Sequence, residues 1–177
     1  MIRSVLSAFA ATTLFTVLLG LQSALSQDNP NVKMSPNGDP AMIKAHEKSE
    51  KGLDDFLEKL SNPPEGTENY AVKLGFEDKG TGIALTTDQA GAQVEYMWVY
   101  QIKPSGDHYT ALLGDTPQYI QNIKPDEKVE FKKSDIFDWT YVDHGKMKGN
   151  YTACPLLLAG PKEELQQYRD EFGLECE

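Results

Sequence analysis

The chain is expected to fold as α+β: a mainly antiparallel sheet of about five strands, with an N-terminal helix and a C-terminal helix packed on it. Three observations lead there. Leu53, Phe56, Leu57 and Leu60 recur at i, i+3, i+4 and i+7, the stripe of an amphipathic helix. Alternating apolar runs then follow one another, the Val94–Ile102 and His108–Leu113 pair joined by a tight turn as a hairpin. From 162 to 172 the pattern returns to helical spacing through Leu165, Tyr168 and Phe172. No internal repeat interrupts this order.

Residues 1–26 are expected to stand outside the fold as a secretory signal peptide. Arg3 supplies the positive charge, Val5 to Leu21 is apolar or small, and Ala24-Leu25-Ser26 offers small residues ahead of Gln27. The run is short for a membrane span and carries Ser7, Thr12, Thr13, Thr16 and Gly20. No stable membrane association is expected after cleavage, and the place of action is the periplasm or the exterior. Residues 27–38 (QDNPNVKMSPNG) read as a flexible tether, and 39–177 as a single α+β domain.

The first helix begins at Asp39, a capping residue, with Pro40 at the first helical position, where its missing N–H costs nothing. Gly52 marks a place where it bends or divides, and Asn62-Pro63-Pro64 ends it. Tyr70 to Phe76 alternates as a half-buried strand. Glu77 to Gln93 is rich in Gly, Thr and Asp and reads as a loop around a short apolar piece, Ile83-Ala84-Leu85. Val94 to Ile102 carries Val94, Tyr96, Trp98, Tyr100 and Ile102 on one face and Met97 and Val99 on the other, which predicts a central strand covered on both sides at its middle. Pro104 to Asp107 turns the chain into His108–Leu113, its hairpin partner. Lys128 to Phe131 and Phe137 to Val142 are the remaining strands, and His144-Gly145 is a tight turn. Past Asn150 two readings stand: a helix capped by Asn150 and running to Leu158, or no helix, because Pro155 removes a hydrogen bond. Gly160-Pro161 opens the last helix, Glu163 and Glu164 suit its first turn, and Gly173 stops it.

Charge narrows the partners. With Arg3 removed, 16 basic residues face 27 acidic ones, so the net charge is 16 − 27 = −11. That balance repels nucleic acid and anionic lipid. Cys154 and Cys176 are the cysteines of the chain. In an oxidising compartment a disulfide is favoured over two separate thiols, closing a loop of about 22 residues worth ~3 kcal/mol in the chain-entropy model.

Met97-Trp98-Val99, Gly106 to Leu113, Lys128-Val129-Glu130-Phe131, Asp135 to Tyr141 and Gly145 to Thr152 occur in an order that resembles the YegJ-like family of bacterial proteins, built on a domain of unknown function. The resemblance covers about Asp39 to Thr152. The sequence departs from the family pattern in the longer Thr81–Gln93 loop, at Asn150 and at Cys154. The resemblance implies no activity and no catalytic residue.

Read on their own chemistry, Trp98, Asp138, Trp139, Tyr141 and Tyr151 are the candidate binding residues. The aromatics would join in one cluster across neighbouring strands, with Asp138 accepting from an indole or backbone N–H. The competing reading of the same residues is core packing. No nucleophile elbow, phosphate loop or metal-ligand spacing is present, so no cofactor and no metal are expected. The Asn150-Tyr151-Thr152 sequon reads as incidental. The chain is therefore expected to be an exported, non-enzymatic module binding an unknown protein or small ligand. The alternatives are a hydrolase-like enzyme using Asp138 with His108 or His144, and an envelope protein of structural or stress-related role without a site. N-terminal sequencing of the exported protein is expected to return Gln27 as the first residue; recovery of an intact Met1 end in the export fraction would overturn the leader assignment.

Overall fold

The computed structural model describes residues 38–77 and 94–176. The leader, all of the tether before Gly38 and most of the Glu77–Gln93 loop lie outside those residues. Helix α1 (Pro40–Ser61) is followed by strands β1 (Thr67–Glu77), β2 (Val94–Ser105), β3 (His108–Leu113) and β4 (Lys128–Phe131). A 3-10 turn (Lys133–Asp135) leads to β5 (Ile136–Asp143), β6 (Lys146–Gly149), α2 (Ala153–Ala159) and α3 (Lys162–Phe172). All strand pairs are antiparallel, in the spatial order β4-β3-β2-β1-β5-β6. The α+β expectation holds, with six strands among the described residues in place of about five. The sixth, β6, is a four-residue edge strand (KMKG) too short and too basic to show a period.

Helix α1 starts as its sequence directs: the Asp39 side chain accepts from the Ala41 N–H at 2.9 Å, and Pro40 sits in the first turn. It runs unbroken through Gly52, so the helix is not divided there. Gly52 is there for contact. A Cβ at that position would stand 2.6 Å from Cζ2 of Trp139. Ala45, Ser49, Leu53 and Phe56 are its buried residues, each about a turn apart.

The sheet is curled. β4 and β5 lie four positions apart in it, which in a flat sheet is ~19 Å. Only residues 132–135 join Phe131 to Ile136, a reach of ~17 Å even if fully extended. Part of that link is a 3-10 turn, which is shorter still. The strands therefore bend round so that β4 approaches β5, and α1 lies along the inner surface. Lys133 of the link pairs with Asp54 of α1 across that gap.

The inner surface is the core: Val72 and Leu74 of β1, Met97 and Val99 of β2, Ala111 and Leu113 of β3, Phe131 of β4, and Trp139 and Tyr141 of β5, against Leu53 and Phe56. Register puts Val72 beside both Val99 and Trp139. The outer surface differs from expectation. Tyr96 is 38 % exposed and Trp98 and Tyr100 are half-buried, so β2 is fully covered on one side only. Ile102 also leaves the row assigned to it. Gln101 has φ 53° and the β2–β3 register shifts between Tyr100 and Lys103, a bulge that turns Ile102 onto the core.

Two connections close the core. After β3, the buried Glu95 carboxylate accepts from the N–H groups of Gln118, Tyr119 and Ile120 at 2.7–3.0 Å, which drives Ile120 inward. At the β5–β6 hairpin His144 (φ 48°) and Gly145 (φ 78°) are both left-handed, the geometry a two-residue turn needs. Helix α2 forms after all, because Pro155 falls in its first turn, where no i−4 bond is lost. Its N-cap is Thr152, not Asn150. Helix α3 ends at Gly173 in the left-handed conformation, as expected. Leu174 then enters the core, and Cys176 bonds Cys154 at the start of α2. The expected disulfide is present. No helix among the described residues is long and apolar enough to cross a membrane.

Trp139 is held from both sides. Its indole N–H donates to the Ser49 carbonyl at 2.9 Å, and Gly52 lies against its ring. A Cβ at Gly149 would stand 2.1 Å from the Trp139 carbonyl oxygen and 2.6 Å from Cε3, and Gly149 has φ 76°. Substituting Gly149→Ala therefore combines left-handed strain with overpacking and is expected to cost about 3 kcal/mol. Gly106→Ala, at φ 67° with open space around it, carries the strain alone. Urea unfolding should place Gly149→Ala well below Gly106→Ala; equal midpoints would refute the clamp.

Candidate functional site

Alternation along β5 sends consecutive residues to opposite surfaces. Trp139 points inward and Asp138 outward, opposite Lys73 of β1. Asp138 is 0 % exposed. Its Oδ1 accepts from the Trp139 backbone N–H at 2.8 Å. Its Oδ2 accepts from the Thr152 N–H at 2.8 Å and the Thr152 hydroxyl at 2.7 Å. The capping hydroxyl of α2 is thus turned toward the sheet, which is why α2 lacks a side-chain cap bond.

Lys73 completes the arrangement. Its ammonium donates to Thr152 Oγ1 at 2.7 Å and lies 4.6 Å from the centroid of Trp98, its cross-strand neighbour on β2. Asp115 accepts from the Trp98 backbone N–H at 2.7 Å, where β3 has ended. Burial pushes the Lys73 amine below the ordinary lysine range, with the Asp138 and Asp115 carboxylates pulling it partly back. Burial likewise raises Asp115, against its bond from Trp98 and the charge of Lys73. A lysine over an indole ring, wired through one hydroxyl to a buried carboxylate, is the most developed polar group on the outer surface.

Small residues shape what surrounds it. Gly75 stands between Tyr96 of β2 and the bulged Phe137 of β5, and their rings meet at 4.1 Å. Phe137 also stacks on His46 of α1 at 4.5 Å, and His46 Nδ1 donates to the Phe137 carbonyl at 2.8 Å. Tyr100 donates its hydroxyl to Asp126. The outward row on β2 is therefore Tyr96, Trp98, Tyr100, spaced ~7 Å apart.

The five candidate residues do not converge. Trp139, Tyr141 and Tyr151 form a cluster with Phe56 and Tyr70, at ring distances of 5.1–6.3 Å, on the inner surface. Trp139 and Tyr141 are buried there. Trp98 lies across the sheet from them, and Asp138 shares its surface. The single aromatic cluster expected from the sequence is thus split by the sheet, because Trp98 and Trp139 fall at opposite phases once register is set. Lys73, Thr152 and Asp115 lie outside the set that the sequence pattern points to. Lys73 is the charged residue of YAVKLGF, a signal visible in the sequence; the partners of its ammonium are not.

Neither histidine reaches Asp138. His144 lies six residues along β5, roughly 20 Å at the strand rise, and pairs with Asp143 at 2.7 Å. His108, at the far end of the β2–β3 hairpin, pairs with Asp107 at 3.1 Å and Glu130 at 3.9 Å. Among the described residues no three of His, Cys, Asp and Glu converge as a metal-ligand set. A groove of about 490 Å³ lies elsewhere, between His46, Glu50 and Leu53 of α1 and the link before β5. Asn150 of the sequon is 7 % exposed, with a left-handed backbone and a buried Oδ1 that has no partner. It is not a surface acceptor.

Comparison with known proteins matches residues 39–176 to a family described as "Uncharacterized protein conserved in bacteria (DUF2314)". The chain is also 29 % identical over 129 residues to "Uncharacterized protein YegJ" of Escherichia coli (strain K12), covering 73 % of this chain and 75 % of that protein. No solved structure matches.

The depressed Lys73 amine has a pH signature. Between its lowered folded pKa and the ordinary lysine value of 10.5 the unfolded chain binds more protons than the folded one, so stability rises with pH across that window. Below it, the cost of burying the ammonium is fully present. Lys73→Met removes that cost and is expected to compare best with the wild type near pH 7, losing ground toward pH 10. Parallel urea midpoints for the two proteins from pH 7 to 10 would contradict the assignment.

Proposed function

The chain belongs to the DUF2314 family of uncharacterised bacterial proteins, and from its geometry we propose that it is an exported, non-enzymatic module that binds a small ligand on the outer face of its sheet. The observation that carries this reading is the row Tyr96, Trp98, Tyr100 on a central strand, left partly exposed with the Lys73 ammonium over its middle ring. A folded chain gains by covering rings of this size. Three in succession on the outside of a sheet suit a flat apolar ligand packed against their exposed parts, with Lys73, over the middle ring, and Asp115 supplying polar contacts.

Of the five sequence candidates, Trp98 is the one placed to touch such a ligand. Asp138 acts behind it, by holding Thr152 and through it Lys73. Trp139, Tyr141 and Tyr151 support the sheet from within. Export is supported by the leader-like first 26 residues and by the Cys154–Cys176 bond, which persists in oxidising compartments. The excess of acidic residues argues against nucleic acid as a partner. The hydrolase reading loses its geometry, since Asp138 is enclosed and distant from both His108 and His144. The purely structural reading differs in what it expects of Trp98.

Native mass spectrometry separates the two. The folded chain, equilibrated with a bacterial small-molecule extract and desalted, is expected to retain a bound mass that Trp98→Ala loses at least ~10-fold, a stacking contribution of about 1.4 kcal/mol. Because Trp98 is half-buried, the variant should remain folded by circular dichroism. No retained mass, or equal retention by both proteins, would leave the structural reading standing and sink the binding one.

A further inference from the structure

The outer-face lysine has a feature that simple charge pairing does not use. Thr152 Oγ1 carries one proton and has two neighbours at 2.7 Å, Asp138 Oδ2 and Lys73 Nζ. The carboxylate offers only acceptors, so the hydroxyl proton goes to Asp138. The lone pair of Thr152 then faces Lys73 and takes one of its N–H bonds. When Lys73 is neutral it keeps that N–H bond, and its own lone pair is not consumed by Thr152. The Trp98 ring covers one side of the amine, and Lys73 is itself only half-buried. An amine held through one N–H by Thr152, with its lone pair outside that bond and an aromatic face beside it, is the arrangement of a nucleophile.

We propose that Lys73 captures small carbonyl compounds, aromatic aldehydes foremost, as an imine on the outer sheet face. The nitrogen lone pair attacks the carbonyl carbon and the C=O pair moves to oxygen. The resulting carbinolamine expels that oxygen as water, taking both protons of the amine in net terms, and leaves a C=N bond. Amine and aldehyde become imine and water, with no oxidant or reductant. The planar aldehyde ring stacks on Trp98, between Tyr96 and Tyr100. The burial that depresses the Lys73 amine raises the neutral fraction near pH 7 and works in the same direction. This inference rests on the outer face being the binding surface, and it names the ligand class that face takes.

The test uses the folded, disulfide-intact chain with benzaldehyde as probe and sodium cyanoborohydride to trap the imine. Peptide mass mapping follows adduct formation at Lys73 against Lys44 and Lys51, exposed lysines of α1. At pH 7.5 Lys73 is expected to label several-fold faster, because burial lowers its amine and leaves more of it neutral, and labelling should quench tryptophan fluorescence less in Trp98→Phe than in the wild type. In 8 M urea the lysines should label alike, which assigns the preference to the fold. Lys73→Arg, keeping the charge, should lose the fast adduct while remaining folded by circular dichroism. Labelling of Lys73 no faster than Lys44 and Lys51 in the folded chain overturns the inference. That outcome is distinct from failure of the extract experiment, because labelling reads the amine itself and needs no natural ligand.

Discussion

The seating of Trp139 between α1 and β6 is the contact on which the architecture depends. Its ring comes so close to Gly52 of α1 and Gly149 of β6 that a Cβ at either would stand 2.6 Å from a ring carbon, so both positions must lack side chains. The indole N–H, which burial would otherwise leave without a partner, is satisfied by the Ser49 carbonyl. One residue thus sets the helix-to-sheet distance and the position of α1 along its axis. Phe56 and Tyr141 extend the same stack, and Tyr151 meets its edge at 88°.

Because side chains alternate along a strand, fixing Trp139 also fixes Asp138 on the other surface. The same short segment that packs Tyr151 inward therefore delivers Thr152 to Asp138 and to Lys73. Inner packing and outer polar chemistry are two readings of one four-residue neighbourhood. The carboxylate is buried but fully used: it accepts two backbone N–H bonds and one hydroxyl, so its enclosure does not leave an unmet charge contact. Its role is to orient other groups.

The elements that were legible in the sequence are those set by local chemistry. Asp39-Pro40 announced the start of α1, alternation announced β1 to β3, Gly173 announced the end of α3, and an even cysteine count with an expected oxidising compartment pointed to the Cys154–Cys176 bond. The elements that were not legible depend on cross-strand neighbours. Gly52 looks like a helix weakener until Trp139 is placed beside it. The bulge at Gln101 reverses the phase of β2 without a glycine or proline to mark it. Trp98 and Trp139 resemble members of one cluster until register assigns them to opposite surfaces. Lys73 is visible as a charge within an apolar strand, but its meaning lies in Thr152, 79 residues away.

The curl of the sheet has a consequence for assembly of the chain. β4 leads directly into β5, yet β5 pairs with β1, joining Thr67 to Asp143 across the entire β2–β4 meander. That meander is built from contacts close in sequence and gains stability at low loop entropy. The β1–β5 seam gains nothing until the loop between them has been closed. Since the seam carries Trp139, and Trp139 requires α1, helix docking and closure of the curled sheet belong to one late event. Joining the two ends of the domain around the meander is thus the pairing with the largest loop-closure cost in the sheet.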